Sequence, residues 1–191
     1  MLEKRFTVSG VYKILDALEV YQTVLENKKY KYPFFFWEYC IREERVAIIR
    51  YFIKDILKWD DKTLFKNLDN YVFKEYKLER MLLVHYNNNF FKAINDAWPG
   101  KYKPWQFSKN PIEKWTERTA VEATRWLIEK QLKMSTGQVY TRLCSEDFEN
   151  NNLGSMLRTV FEGSIPIAVQ KAFPEKDFKS CLFLTYLKSS K

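Results

Sequence analysis

Apolar residues fall at helical spacing through most of this chain, and they do so twice. Val46, Ile49, Ile53 and Leu57 recur every three to four residues, as the buried face of a helix does. The stripe returns later as Val121, Ile128 and Leu132. Slid by 75 residues, the segment 46–101 aligns with 121–176 without a gap, and fourteen positions are identical. Arg50/Arg125, Phe73/Phe148, Leu82/Leu157 and Pro99/Pro174 are among them. A fixed period is the mark of one supersecondary unit used twice and stacked on itself.

The two copies predict the same elements. A first helix runs from about Glu43 to Lys58 and again from about Arg118 to Lys133. A second begins behind Asp60 in one copy and Ser135 in the other, where Ser135 with Gln138 has the capping-box pattern. A looser stretch follows, anchored by Phe73 and Phe148. The third helix carries Leu78, Met81, Leu82 and Tyr86 against Leu153, Met156, Leu157 and Phe161. The fourth is capped by Asn89 or Ser164 and stopped by Pro99 or Pro174. Ahead of them, Ser9 is expected to cap a helix through Val11, Leu15, Leu18 and Leu25. No window sustains the alternation of a strand, so essentially no sheet is expected. The predicted fold is all-α: two four-helix repeats of period 75, stacked in tandem over residues 37–111 and 112–191, after a partial N-terminal helical unit at 1–36.

Composition is compatible with a packed interior. Hydrophobic residues make up 46% and aromatic residues 17%, which excludes a mostly disordered chain. The net charge of +8 permits an acidic partner, but it is spread along the chain with no basic tail. Cys40, Cys144 and Cys181 stand far apart, which favours free thiols in a reducing compartment. The first residues lead into no apolar signal region, and runs such as 34–37 are far too short to span a bilayer. A cytoplasmic protein without a membrane partner is expected.

The segment Leu153-Gly154-Ser155-Met156-Leu157, followed by Phe161-Glu162-Gly163-Ser164, Ala168 and Ala172-Phe173-Pro174, resembles an uncharacterised tandem helical repeat of bacterial and phage-associated proteins. The junction Trp98-Pro99-Gly100-Lys101-Tyr102-Lys103-Pro104-Trp105-Gln106-Phe107 belongs to the same pattern, and the resemblance covers roughly 37–180. It implies a fold but no activity. More loosely, Phe161-Glu162-Gly163-Ser164 before an Ala-containing helix is similar to the DNA-gripping repeat that accompanies homing endonucleases. Copy one departs from it with Tyr86-Asn87-Asn88-Asn89, and no nuclease motif accompanies it.

Two constellations suggest DNA. The third and fourth helices of each copy, joined by a short turn, have the pattern of a helix-turn-helix. The fourth helix would then present Lys92, Asn95 and Asp96 in copy one and Ile167, Gln170 and Lys171 in copy two. Asn95 and Gln170 are equivalent, and an amide can pair bidentately with adenine. At the junctions, Lys101, Lys103 and Lys109, with Lys114 downstream, and Lys176 and Lys179 after copy two, could neutralise phosphates beside aromatic rings. The competing reading is plain: solvated polar residues on short packed helices, with Trp105, Phe107 and Trp115 docked in the crease between units. Arg50 and Arg125 lie on the apolar face, where an arginine lays its stem on the core and bonds a helix-end carbonyl.

Catalysis finds no constellation. His85 is the single histidine and has Val160 as its counterpart, and the cysteines lack metal-ligand spacing. The acidic pairs Asp60-Asp61 and Glu146-Asp147 sit at helix starts, where caps account for them. The expectation is a non-enzymatic DNA-binding regulatory protein of a bacterium or its phage, with no cofactor, metal or small-molecule substrate. The alternative is a protein-interaction module, an inhibitor or adaptor, using an aromatic surface between the repeats.

Overall fold

The computed structural model describes residues 6–8, 11–26, 31–109, 112 and 114–176. Among them the chain is helical, save for one short hairpin, and it divides into two compact units, residues 1–111 and 112–191. None of the described helices is long and apolar enough to cross a membrane.

The first unit opens with strands β1 (Phe6–Val8) and β2 (Val11–Leu15), paired antiparallel with Phe6 opposite Leu15 and Thr7 opposite Ile14. This corrects the expected helix through Val11 and Leu15; Ser9 itself lies outside the described residues. The cap falls instead to Asp16, whose Oδ1 accepts from Glu19 N at 2.8 Å while Glu19 Oε2 accepts from Asp16 N at 3.1 Å. That starts α1 (Ala17–Glu26), which packs on α3 (Arg42–Tyr51) with α2 (Phe36–Tyr39) between them in sequence.

Helix α3 runs into a widened π turn at Phe52–Leu57, closed by Lys58 in the left-handed region at φ 52°. Then follow α4 (Asp61–Asn67), α5 (Asn70–Glu75), α6 (Glu79–Tyr86) and α7 (Phe90–Ala97). Each of α4, α5 and α7 starts on a side-chain cap: Asp60 on Thr63 N, Asp69 on Val72 N and Asn89 on Lys92 N. The looser stretch around Phe73 is therefore a helix, too short for its period to be read. The core is aromatic and aliphatic. Phe52 meets Phe73 edge-on at 5.1 Å, and Met81, Leu82, Ala93, Ile94 and Ala97 are fully buried around them. Burying each large apolar side chain contributes about 1.5–3 kcal/mol.

The second unit carries α8 (Glu117–Trp126), α9 (Thr136–Arg142), α10 (Ser145–Asn150), α11 (Gly154–Val160) and α12 (Ile165–Ala172). Its π turn, Leu127–Gln131, begins 75 residues after the first one. Left-handed residues recur at the same offset: Lys58/Lys133, Lys77/Asn152 and Asn87/Glu162, with Asn88/Gly163 beside them. At the last of these turns Asn88 N and Gly163 N close the third helix by donating to Leu82 O and Leu157 O, each at 2.9 Å. Asn and Gly tolerate that backbone, which is why the turn can be written with either. Leu127, Phe148, Met156, Ala168 and Val169 form the buried interior.

Candidate binding surface

The fourth helices, α7 and α12, do hold Lys92, Asn95, Ile167 and Lys171 at the surface, with Asp96 and Gln170 half-buried. Their amides are occupied in folding. Asn95 Oδ1 accepts from Gly100 N at 3.1 Å, and Gln170 Nε2 donates to Lys176 O at 3.0 Å. Both fasten the turn that follows the helix, so reading a base would release it. Lys171 is paired with Glu117 at 2.7 Å, and Asp96 accepts from Arg42 Nε at 2.7 Å and Tyr86 Oη at 2.9 Å. Only Lys92 among the candidate cations of these helices projects without an ion-pair partner among the described residues.

The junction lysines divide similarly. Lys101 Nζ donates to Tyr102 Oη at 2.6 Å and lies 3.7 Å from Asp61, and these contacts raise its pKa, the tyrosine bond foremost. Lys103 sits over the Trp105 ring at 5.8 Å and Lys176 over the Phe173 ring at 5.0 Å, with Lys176 Nζ also 3.3 Å from Thr136 Oγ1. Lys109 and Lys114 are exposed, and Lys179 lies outside the described residues. Phe107 packs within the first unit, on Phe65 at 5.2 Å and Phe90 at 5.4 Å, while Ser108 N donates to Phe65 O. Trp105 is buried as well, and Trp115 is half-buried. Arg50 holds Ala97 O with Nε at 3.0 Å and Nη2 at 2.7 Å; Arg125 Nε holds Ala172 O in the same manner. Each guanidinium closes the negative end of a fourth helix.

A different surface, on α2 and α6, stands out by its chemistry. Phe34 is 95% exposed, Phe35 61%, Tyr39 61% and Leu83 59%, with Val84 beside Leu83. Phe35, the residue before α2, has φ 58° and ψ 19°, a left-handed conformation that a bulky side chain rarely adopts. It follows Pro33 in a turn closed by Phe36 N donating to Pro33 O at 3.1 Å. The turn turns Phe34 and Phe35 outward while Phe36 and Trp37 are buried beneath, with Tyr32 stacked on Phe36 at 5.0 Å. Helix α2 rests on α6, where Arg80 holds Glu38 and His85 Nε2 lies 2.5 Å from Trp37 O. Arg80, Leu83 and Val84 share one face of α6. The Arg80 bond is also the main cause of the lowered pKa of Glu38.

Residues 17–103, from the first residue of α1 to just past α7, match the sequence model of a family described as "Protein of unknown function (DUF4046)". No curated protein and no solved structure matches the chain. The match spans the helices that carry the aromatic surface and the helices that pack beneath it.

This surface is not what the packing of such helices requires. At the positions 75 residues on, Leu83 becomes Arg158, Val84 becomes Thr159 and Tyr39 becomes Lys114, all three exposed. Arg158 is paired with Glu149, while its counterpart Lys74 pairs with Glu79 at 3.5 Å and leaves Leu83 bare. The pattern of hydrophobic residues alone did not single out these positions. The signal was available in the difference between copies, apolar in the first and polar in the second, at sites off the helical stripe.

Proposed function

We propose that the chain is a binding module that performs no chemistry of its own and docks a protein partner on the aromatic face of its first unit. We read its two units as descendants of one duplicated helical unit, the second keeping the scaffold and the first carrying the docking surface. The observation that carries this reading is the exchange at exposed positions: Leu83, Val84 and Tyr39 in the first unit against Arg158, Thr159 and Lys114 in the second. Exposed apolar side chains gathered on one face favour association, and nothing in the scaffold asks for them. The free thiols of Cys40 and Cys144 suit an adaptor or inhibitor working in the bacterial cytoplasm.

The test is a paired capture. Wild type and Phe34→Ser/Leu83→Arg are immobilised and challenged with the same lysate, and duplex DNA is titrated onto both across a salt series. The reading expects a protein retained by wild type and lost from the variant. It fails if both retain the same proteins.

A second reading, DNA binding in regulation of a bacterial or phage process, is favoured by the exposed ammonium groups of Lys92, Lys103, Lys109 and Lys176. It expects affinity that falls steeply with salt and is lost on Lys103→Glu/Lys109→Glu, with Phe34→Ser/Leu83→Arg unaffected.

A further inference from the structure

We propose that the partner segment is acidic and apolar: a peptide that seats one aromatic or branched aliphatic side chain beside Phe34 and lays carboxylates on the lysines around it. This rests on the docking reading above and specifies what docks.

The geometry begins with an open pocket of about 450 Å³ between the Pro33–Phe35 turn and the start of α6. Phe36 and Trp37 form its apolar base and Phe34 one wall, and the rim carries Lys31, Lys77 and Arg80 with Glu38. That volume suits one or two large side chains, below the size range of sites that enclose a whole small molecule only in its lower part. The rim sets the sign. Arg80 and Glu38 satisfy each other, and the lowered pKa of Glu38 keeps it ionised at neutral pH. Lys31 and Lys77 are exposed and have no ion-pair partner among the described residues. The pocket therefore presents an apolar floor inside a positive rim, and the complementary ligand is apolar and negative.

Other occupants fit less well. A second copy of this chain would bring the same lysines face to face, in a protein of net charge +8. A nucleic acid would gain from stacking on Phe34 and Phe35 but not from Leu83 and Val84, which offer no ring face. A bilayer meets protruding rings, whereas here the rings wall a concavity. The second unit again supplies contrast. Lys77 and Arg80 have Asn152 and Ser155 as counterparts, so rim and apolar face are both confined to the first unit. A scaffold-wide cause would have kept them in both.

The experiment is selection of a random phage-displayed dodecapeptide library on the full-length chain. Winners are made as synthetic peptides and titrated against wild type, Phe34→Ser/Leu83→Arg and Lys31→Glu/Lys77→Glu. All four substituted positions are exposed, and Leu83→Arg installs the residue of the second unit, so folding is retained. Winners rich in Asp or Glu next to an aromatic or aliphatic residue are expected. They should be lost on Phe34→Ser/Leu83→Arg and weakened about tenfold or more on Lys31→Glu/Lys77→Glu. Winners lost on the first variant but without acidic bias, and indifferent to the second, would overturn the acidic ligand and leave docking standing. Winners indifferent to both variants, or no winners at all, would overturn the docking reading itself. Sedimentation with phosphatidylserine vesicles, abolished by Phe34→Ser/Leu83→Arg in the absence of peptide winners, would assign the face to a membrane and also overturn the proposal.

Discussion

Arg42 and Asp96 are joined at 2.7 Å between α3 and α7, and their counterparts 75 residues on, Glu117 and Lys171, are joined at 2.7 Å with the charges exchanged. A third position changes with them. Tyr86 donates its hydroxyl to Asp96 at 2.9 Å, and its counterpart beside Lys171 is Phe161, which has no hydroxyl to place. The contact between first and fourth helices is thus kept as a geometry rather than as residues. Arg50 and Arg125, which do keep their identity, bond a helix-end carbonyl, and a carbonyl cannot change sign.

Copying the second unit's solution into the first should therefore work only as a set. Arg42→Glu alone is expected to cost up to about 1 kcal/mol, since the pair is partly exposed. Asp96→Lys alone should cost roughly 1–3 kcal/mol, because it sets two cations together and leaves the buried Tyr86 hydroxyl without its acceptor. The triple variant Arg42→Glu/Asp96→Lys/Tyr86→Phe should return to within about 1 kcal/mol of wild type by chemical denaturation. A triple variant no more stable than Asp96→Lys alone contradicts this.

The two third helices should be equally intolerant of truncation. Leu82 is fully buried and Leu157 nearly so, at corresponding places on α6 and α11. Either Leu→Ala change should cost roughly 2–5 kcal/mol, the removed apolar surface plus the cavity left behind. Denaturant midpoints at unchanged slope measure it, and a loss below about 1 kcal/mol would mean the core is elsewhere.

Stability should fall on the alkaline side. Burial pushes the Cys40 thiol up from its ordinary value near 9 to about 12 and the Tyr86 hydroxyl from near 10 to about 12, and it raises Tyr21 and Tyr32 further. A folded-state pKa above the unfolded one means the folded chain holds its proton longer. The resulting stability is complete below the unfolded values and is lost as pH rises from about 9 to 12. Urea midpoints should be level between neutrality and about pH 8.5 and then decline. Cys40→Ala should soften the first part of that decline, and a midpoint that stays flat to pH 11 refutes the assignment.

Much of this was legible in the chain and some was not, for identifiable reasons. The stripes through Val46–Leu57 and Leu78–Tyr86 gave the longer helices, and caps at Asp60, Ser135, Asn89 and Ser164 gave their starts, since both signals are local. Helices α5 and α10 escaped because six residues do not complete a second turn of pattern. The hairpin escaped because Val11, Leu15 and Leu18 satisfy helical spacing by coincidence, whereas Thr7, Val8, Val11 and Ile14 are β-branched residues flanking a Ser-Gly pair, a hairpin signal. The candidate surface was the hardest to see. Exposure at Phe34 depends on a left-handed residue at Phe35, and no apolar pattern encodes that.

Phe35 offers the sharpest separation of folding from binding. Its left-handed backbone costs an L-residue about 1–2 kcal/mol, and with 61% of its surface exposed the ring recovers little by burial. Glycine adopts φ 58° freely but adds unfolded-state entropy worth up to about 1 kcal/mol. Phe35→Gly should accordingly leave stability unchanged or raise it by up to about 1 kcal/mol, while weakening whatever peptide the aromatic face binds. The ring neighbours are themselves exposed, Phe34 at 6.5 Å and Tyr39 at 6.2 Å between centroids, so little packing is lost with it. Thermal denaturation and peptide titration on the same preparation decide the matter. A loss of about 2 kcal/mol or more would make Phe35 a packing residue, held in strain for the fold. Unchanged stability with weakened binding would make the strain part of the docking surface.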